Sequence, residues 1–193
     1  MRLFAGIYER VMRFSRRSDA PVYLSILSFL ESFILPFPPP DVMLAPMSVA
    51  MPSRALRFAL LTLVFSVLGG LVGYLIGAYL FHLAEPYIIE WGYQARFETA
   101  IGWFRDWGFW AVLVAGFSPV PYKIFTIAAG VLSLALLPFV LASVIGRGVR
   151  FYLVAWSLAK FGPAIEARLM RYIEIIGWAV VGALLLAILI YYL

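Results

Sequence analysis

The chain reads as an all-α, multi-pass membrane protein: two broken helical hairpins, each followed by a crossing helix, plus a C-terminal membrane helix and an N-terminal amphipathic one. Three observations carry this reading. Of 193 residues, 64% are hydrophobic and only 13% charged, and the mean hydropathy is +0.97. Three long runs carry no charge: residues 58–81 (24 positions), 124–146 (23) and 175–193 (19). Two further apolar stretches are broken by clustered prolines. Soluble domains carry roughly 25% charged and about 45–50% apolar residues, so a water-soluble globule is excluded. Disorder is excluded too, since it needs low hydrophobicity and high charge. The length suits a single membrane domain over 1–193.

Residues 1–19 place Leu3, Phe4, Ile7, Val11 and Phe14 at helical spacing among Arg10, Arg13, Arg16 and Arg17. That pattern predicts a helix lying in the membrane interface. It lacks the continuous apolar core and small-residue cleavage site of a signal peptide. Residues 20–81 form a first repeat. Its opening stretch, 20–50, contains Pro36, Pro38, Pro39, Pro40 and Pro46, and proline ends helices because it lacks the N–H and clashes with the preceding turn. Each arm then spans only part of a bilayer about 30 Å thick, as a re-entrant hairpin would. Residues 58–81 supply the crossing helix.

Residues 82–106 are an interfacial connector with Tyr87, Trp91, Tyr93, Phe97, Trp103 and Phe104, suited to the headgroup level. The second repeat, 107–160, is again broken, by Pro119 and Pro121. Its crossing helix should run from near Leu136 to near Lys160, with Arg147 and Arg150 inside it. A final membrane helix is expected over 173–193.

The two halves echo each other. Ser66-Val67-Leu68-Gly69 recurs as Ser143-Val144-Ile145-Gly146, and Pro39-Pro40-Asp41-Val42 lies opposite Pro121-Tyr122-Lys123-Ile124. A hairpin returns to its own side and the next helix crosses, so the halves are expected to be inverted, as in many secondary transporters. Side one then carries Arg2, Arg10, Arg13, Arg16, Arg17, Arg54, Arg57, Lys160, Arg168 and Arg171; side two carries only Arg96 and Arg105. This bias predicts a cytoplasmic N-terminus and an external C-terminus. The net charge of +5 therefore reports topology and anionic lipid and not nucleic acid.

Five ionisable residues fall at membrane depth: Glu31, Asp41, Lys123, Arg147 and Arg150. Each charge near the bilayer centre costs at least ~2.5–3.5 kcal/mol on insertion scales, so such residues face a bundle interior or a wet cavity. Two acids facing three bases leave one positive charge, which suits a phosphate headgroup. Lys123, Arg147 and Arg150 are the candidate substrate-binding residues, since arginine grips phosphate with two prongs and lysine as a compact charge. Glu31 and Asp41 are candidates for proton coupling or for pairing with the bases. The plainer alternative is a set of structural ion pairs, with Asp41 also placed to cap a helix start. Gly69, Gly70, Gly73 and Gly77 form a small-residue stripe for close helix packing. Ser118 and His82 lack the acid partner and elbow of a hydrolase, and His82 reads as an ordinary interfacial residue. With no cysteine and no phosphate loop, metal spacing or dinucleotide fingerprint, neither a cofactor nor an enzyme is expected.

Glu31-Ser32-x3-Pro36-x-Pro38-Pro39-Pro40-Asp41 followed by Gly69-Gly70-x2-Gly73-Tyr74-x2-Gly77 resembles the DedA family, the VTT or SNARE-associated domain superfamily. Phe117-Ser118-Pro119-Val120-Pro121-Tyr122-Lys123 with Ala128-Ala129-Gly130 resembles its second motif. Together with Ile145-Gly146-Arg147-Gly148-x-Arg150-Phe151, the set is most similar to the YqaA branch. The resemblance covers about residues 20–165. It implies a bacterial inner-membrane protein with two facing re-entrant hairpins. It also implies transport or scrambling of lipids such as undecaprenyl phosphate or phosphatidylethanolamine, often coupled to the proton-motive force. The family carboxylates fall on Glu31 and Asp41. The second motif usually carries arginines around its proline; here Lys123 and Ser118 stand in those places, and Arg147 and Arg150 are positioned to compensate.

The expected function is a flippase or scramblase for a phosphate-bearing lipid, with protons and membrane lipids as partners and a second copy of the chain as a candidate one. The alternatives are a proton-coupled carrier of a small soluble ion and a non-transporting membrane homeostasis or assembly factor.

Overall fold

The computed structural model describes residues 3–34, 38–117 and 121–162, which contain helices and turns and no strand. Helix α1 (Leu3–Ser15) is the amphipathic segment. It packs on α3 (Asp41–Ala50), burying Met12 and Ser15, while Arg10, Arg13, Arg16 and Arg17 stay exposed. Helix α2 (Ala20–Glu31) starts with Pro21 in its first turn, where the missing N–H costs nothing. The prolines at 38–40 precede α3 as expected of helix breakers, whereas Pro46 lies inside α3 and does not end it.

A short 3-10 turn, Pro52–Arg54, leads into α4 (Ala55–Tyr79), whose 25 residues make a rod of about 37 Å. The long helix of the second half, Leu136–Gly162 (α9), has 27 residues and spans about 40 Å. Pro138 sits in its first turn, so it does not break it. Between them lie α5 (Phe81–Glu90), α6 (Gln94–Trp107), α7 (Phe109–Phe117) and α8 (Tyr122–Val131). The connector expected as one interfacial segment over 82–106 is thus two helices. Gly92 stands at the break between them and Gly108 at the end of α6: their φ angles are +69° and +50°, which residues with a Cβ adopt only at a cost.

Each half has the same order, with two short helices (12 and 10 residues, then 9 and 10) followed by a long one. The short helices are about 14–18 Å long, half of what a bilayer needs. Two buried clusters organise them. One joins Leu24, Leu44, Met47 and Phe58 to Phe151 and Ala155. The other joins Phe104, Val112, Tyr122 and Phe125 to Phe139 and Ala142, with Tyr74 against it. Helix α4 therefore starts in the first cluster and ends in the second, and α9 runs in the opposite sense. Each long helix keeps a bare apolar face: Leu56, Leu60, Val64 and Leu68 on α4, and Leu137, Leu141, Val149 and Leu153 on α9. Such stripes on two helices of spanning length are what a chain surrounded by lipid presents.

Lipid tails are as apolar as leucine, so burial alone does little to hold helices together there; close packing does it. The repeated tetrads serve this purpose. A Cβ on Gly69 would meet the Phe29 carbonyl of α2, and one on Gly146 would meet the Leu113 carbonyl of α7. The same position of each tetrad thus admits the same partner, the first short helix of its own half. Gly77 and Gly130 do likewise between α4 and α8, where a methyl would meet the Ile127 and Tyr74 carbonyls respectively. The membrane helix expected over 173–193 lies outside the described residues, as do Pro36, Ser118 and Pro119.

Candidate functional site

The five candidate residues come from four helices and meet where the two halves join. Glu31 is the last residue of α2 and is 6% exposed; Arg147, near the middle of α9, is 3% exposed. Arg147 Nη2 donates to Glu31 Oε2 at 2.9 Å. Three residues on, Arg150 lies on the same face of α9, and its Nη2 donates to Asp41 Oδ2 at 2.5 Å. This second pair is about a quarter exposed, at 27% for Arg150 and 23% for Asp41. One helix of the second half thereby holds both acids of the first half.

Lys123 takes a different partner. It is buried and its Nζ donates to the Ile34 carbonyl at 3.2 Å, just beyond the end of α2. Helix C-termini leave carbonyls without intrahelical partners and carry partial negative charge. Lys123 and Arg147 therefore both meet the negative end of α2. Glu31 stands at that same end, and Lys123 stands in the first turn of α8, which carries partial positive charge. Each is placed against its own helix dipole; Glu31 is offset by Arg147 of α9 and Lys123 by the Ile34 carbonyl that follows α2. Asp41, in contrast, sits favourably in the first turn of α3. Its Oδ1 has no hydrogen-bond partner among the described residues, and its Oδ2 serves Arg150.

Residues not singled out in the sequence complete the surroundings. The Arg147 guanidinium carbon lies 4.4 Å from the Tyr122 ring centroid and 4.8 Å from that of Phe151. Cation–π contacts of this kind hold a desolvated guanidinium without neutralising it. The Tyr122 hydroxyl donates to Ser143 Oγ at 2.5 Å, and Ser143 Oγ donates to the Phe139 carbonyl at 2.7 Å. Thr126 Oγ1 is shared between the Ser32 and Lys123 carbonyls, at 3.1 and 2.8 Å. Ser32 and Ser66 hydroxyls meet at 2.9 Å. Tyr122 was visible beside Lys123, yet nothing in the spacing tells that its ring would lie against Arg147. Two buried atoms at the site, Arg147 Nε and Asp41 Oδ1, have no hydrogen-bond partner among the described residues. His82 belongs to α5, and its side chain lies outside the described ones.

A bundle whose two long helices keep exposed apolar faces, with half-length apolar helices and a cluster of three bases and two acids that is buried at Glu31, Lys123 and Arg147 and partly exposed at Asp41 and Arg150, defines a membrane protein. Comparison with known proteins gives its family. Residues 37–160 match the VTT domain, and the chain belongs to that family, the DedA family. It is 44% identical over 193 residues to an uncharacterized protein of Haemophilus influenzae, covering 100% of this chain and 98% of that one. It is 46% identical over 191 residues to an uncharacterized homologue from Histophilus somni, covering 99% and 98% respectively. No solved structure matches the chain.

Proposed function

We propose that this protein moves a phosphate-bearing lipid, undecaprenyl phosphate or a phospholipid, between leaflets of the bacterial inner membrane. The observation that carries the reading is Arg147: a buried guanidinium inside a helix of spanning length, its Nε without a partner among the described residues. The family and the apolar helices support a role in membrane transport or homeostasis; the lipid and the direction of movement are the proposal.

In this reading the short helices are arms of two re-entrant hairpins. Broken helices direct their N-terminal ends at anionic groups in transporters, and Asp41 and Lys123 mark two such ends. Lys123, Arg147 and Arg150 hold the headgroup while the acyl tails stay in lipid. Phosphate competes with Glu31 and Asp41 for the guanidinium groups, and each displaced carboxylate is free to take a proton. Proton coupling follows from that exchange. The halves are related by inversion across the membrane, with the N-terminus cytoplasmic. The Ile145-Gly146-Arg147-Gly148-x-Arg150-Phe151 motif supports assigning the chain to the YqaA branch as part of this reading.

The test is reconstitution of pure protein into liposomes with labelled undecaprenyl phosphate or labelled phospholipid, with and without a proton gradient. Protein-dependent movement of either lipid supports the reading. Absence of movement for both, from folded protein, rejects it in favour of a homeostasis or assembly role.

A further inference from the structure

Away from the ion pairs, a second feature has the makings of a ligand site. A groove of about 310 Å³ runs between α1 and α3, lined by Arg10, Val11, Phe14, Ser15, Val42, Met43 and Pro46, with the Ser15 hydroxyl turned to the Val11 carbonyl. Its volume lies at the lower end of ligand pockets. Its walls are apolar, and one cation stands at its edge. Arg10 is exposed, as are Val11 (40%) and Val42 (61%). Arg13 and Arg16 are exposed on the same short stretch of chain. Arg17 is already engaged: Nε and Nη2 bind both Asp19 oxygens at 2.9 and 2.8 Å. The groove therefore combines an apolar trough with positive charge on an amphipathic helix.

We propose that this groove holds one acidic glycerophospholipid from the leaflet on which α1 lies. One acyl chain lies along Val11, Phe14, Val42, Met43 and Pro46, and the phosphate sits on Arg10. Charge complementarity selects the occupant, because a zwitterionic lipid would bring the same tail without net negative charge. The site is independent of the transport reading. It lies between α1 and α3.

The experiment titrates full-length protein in neutral detergent with phosphatidylglycerol, phosphatidylcholine and inorganic phosphate, following bound ligand by native mass spectrometry. Phosphatidylglycerol should bind more tightly than phosphatidylcholine, and inorganic phosphate should not compete. Arg10→Gln should weaken phosphatidylglycerol about fivefold, the factor one arginine contributes near an anionic surface, and leave phosphatidylcholine unchanged. Val42→Trp fills the groove and should remove binding of both lipids. Both positions are exposed, so the variants should keep the wild-type melting temperature and lipid movement in liposomes. Equal affinity for the two lipids, wild-type binding by both variants, or competition by free phosphate would overturn the proposal. A dimer in solution that Val42→Trp dissociates would give the groove to a second copy and overturn it too. If wild-type protein binds phosphatidylglycerol here yet moves no lipid, the transport reading fails and the groove stands.

Discussion

Arg147 and Glu31, 116 residues apart in the chain, share a hydrogen-bonded ion pair at 2.9 Å with both side chains buried. Removing one member of a buried pair leaves the other charge without compensation and costs on the order of 3–5 kcal/mol. Arg147→Ala should therefore lower the thermal stability of the detergent-purified protein sharply. Combining it with Glu31→Gln should recover much of the loss. A double variant as unstable as the single one would show that Arg147 stabilises through its Tyr122 and Phe151 contacts instead.

Arg150 separates stability from transport more cleanly. Its pair with Asp41 is partly exposed, and exposed pairs are worth about 0–1 kcal/mol. Arg150→Ala should keep the fold and lose lipid movement in liposomes. Arg150→Lys should rescue poorly, since an ammonium cannot reproduce the two-pronged grip on phosphate. Normal flux in a stable Arg150→Ala variant would remove Arg150 from the site and leave Lys123 and Arg147 to hold the headgroup.

The α4–α8 contact makes a prediction about glycine. A methyl on Gly77 or Gly130 would run into a backbone carbonyl of the facing helix. Overpacking commonly costs about 1–3 kcal/mol, occasionally more, and two backbones cannot yield as a side chain can. Gly77→Ala and Gly130→Ala should each lower the melting temperature. At Gly102, inside α6, an added methyl would meet nothing within 4 Å among the described residues, so Gly102→Ala should leave stability unchanged or raise it by up to ~1 kcal/mol. Equal effects at all three positions would refute the close-contact account.

Topology offers a test independent of lipid chemistry. Reporter fusions at Met1 and Leu193 should place the N-terminus in the cytoplasm and the C-terminus outside, as the basic residues direct. Both ends on one side would remove the inverted arrangement and the hairpin reading that depends on it.

Much of this was legible in the sequence for a simple reason. Charges are rare and prolines are clustered in this apolar chain, so the breaks at 38–40 and 121, the long α9 and the membrane-depth residues stood out. The stripe at Gly69, Gly73 and Gly77 announced tight packing for the same reason. Partner choice was not legible. Two acids and three bases allow several pairings, and only the placement of α9 gives Glu31 to Arg147 and Asp41 to Arg150. Lys123 finding the Ile34 carbonyl depends on where α2 ends, which no side-chain pattern encodes. Tyr122 and Phe151 are ordinary apolar-run residues until the fold sets them against Arg147. The split of the connector rests on the backbone angle at Gly92, and glycine alone does not say which way it turns.

The long separation within each pair also sets a schedule for biogenesis. Glu31 and Asp41 are synthesised 116 and 109 residues before Arg147 and Arg150. At about 5–20 residues per second, the acids wait roughly 5–25 seconds for these arginines. Through that interval Glu31 and Asp41 lack the partners they have in the folded chain. Chains arrested before residue 147 should be cleared by membrane proteases, and full-length chains should survive in pulse–chase measurements. Quality control of this protein would then turn on a single late helix.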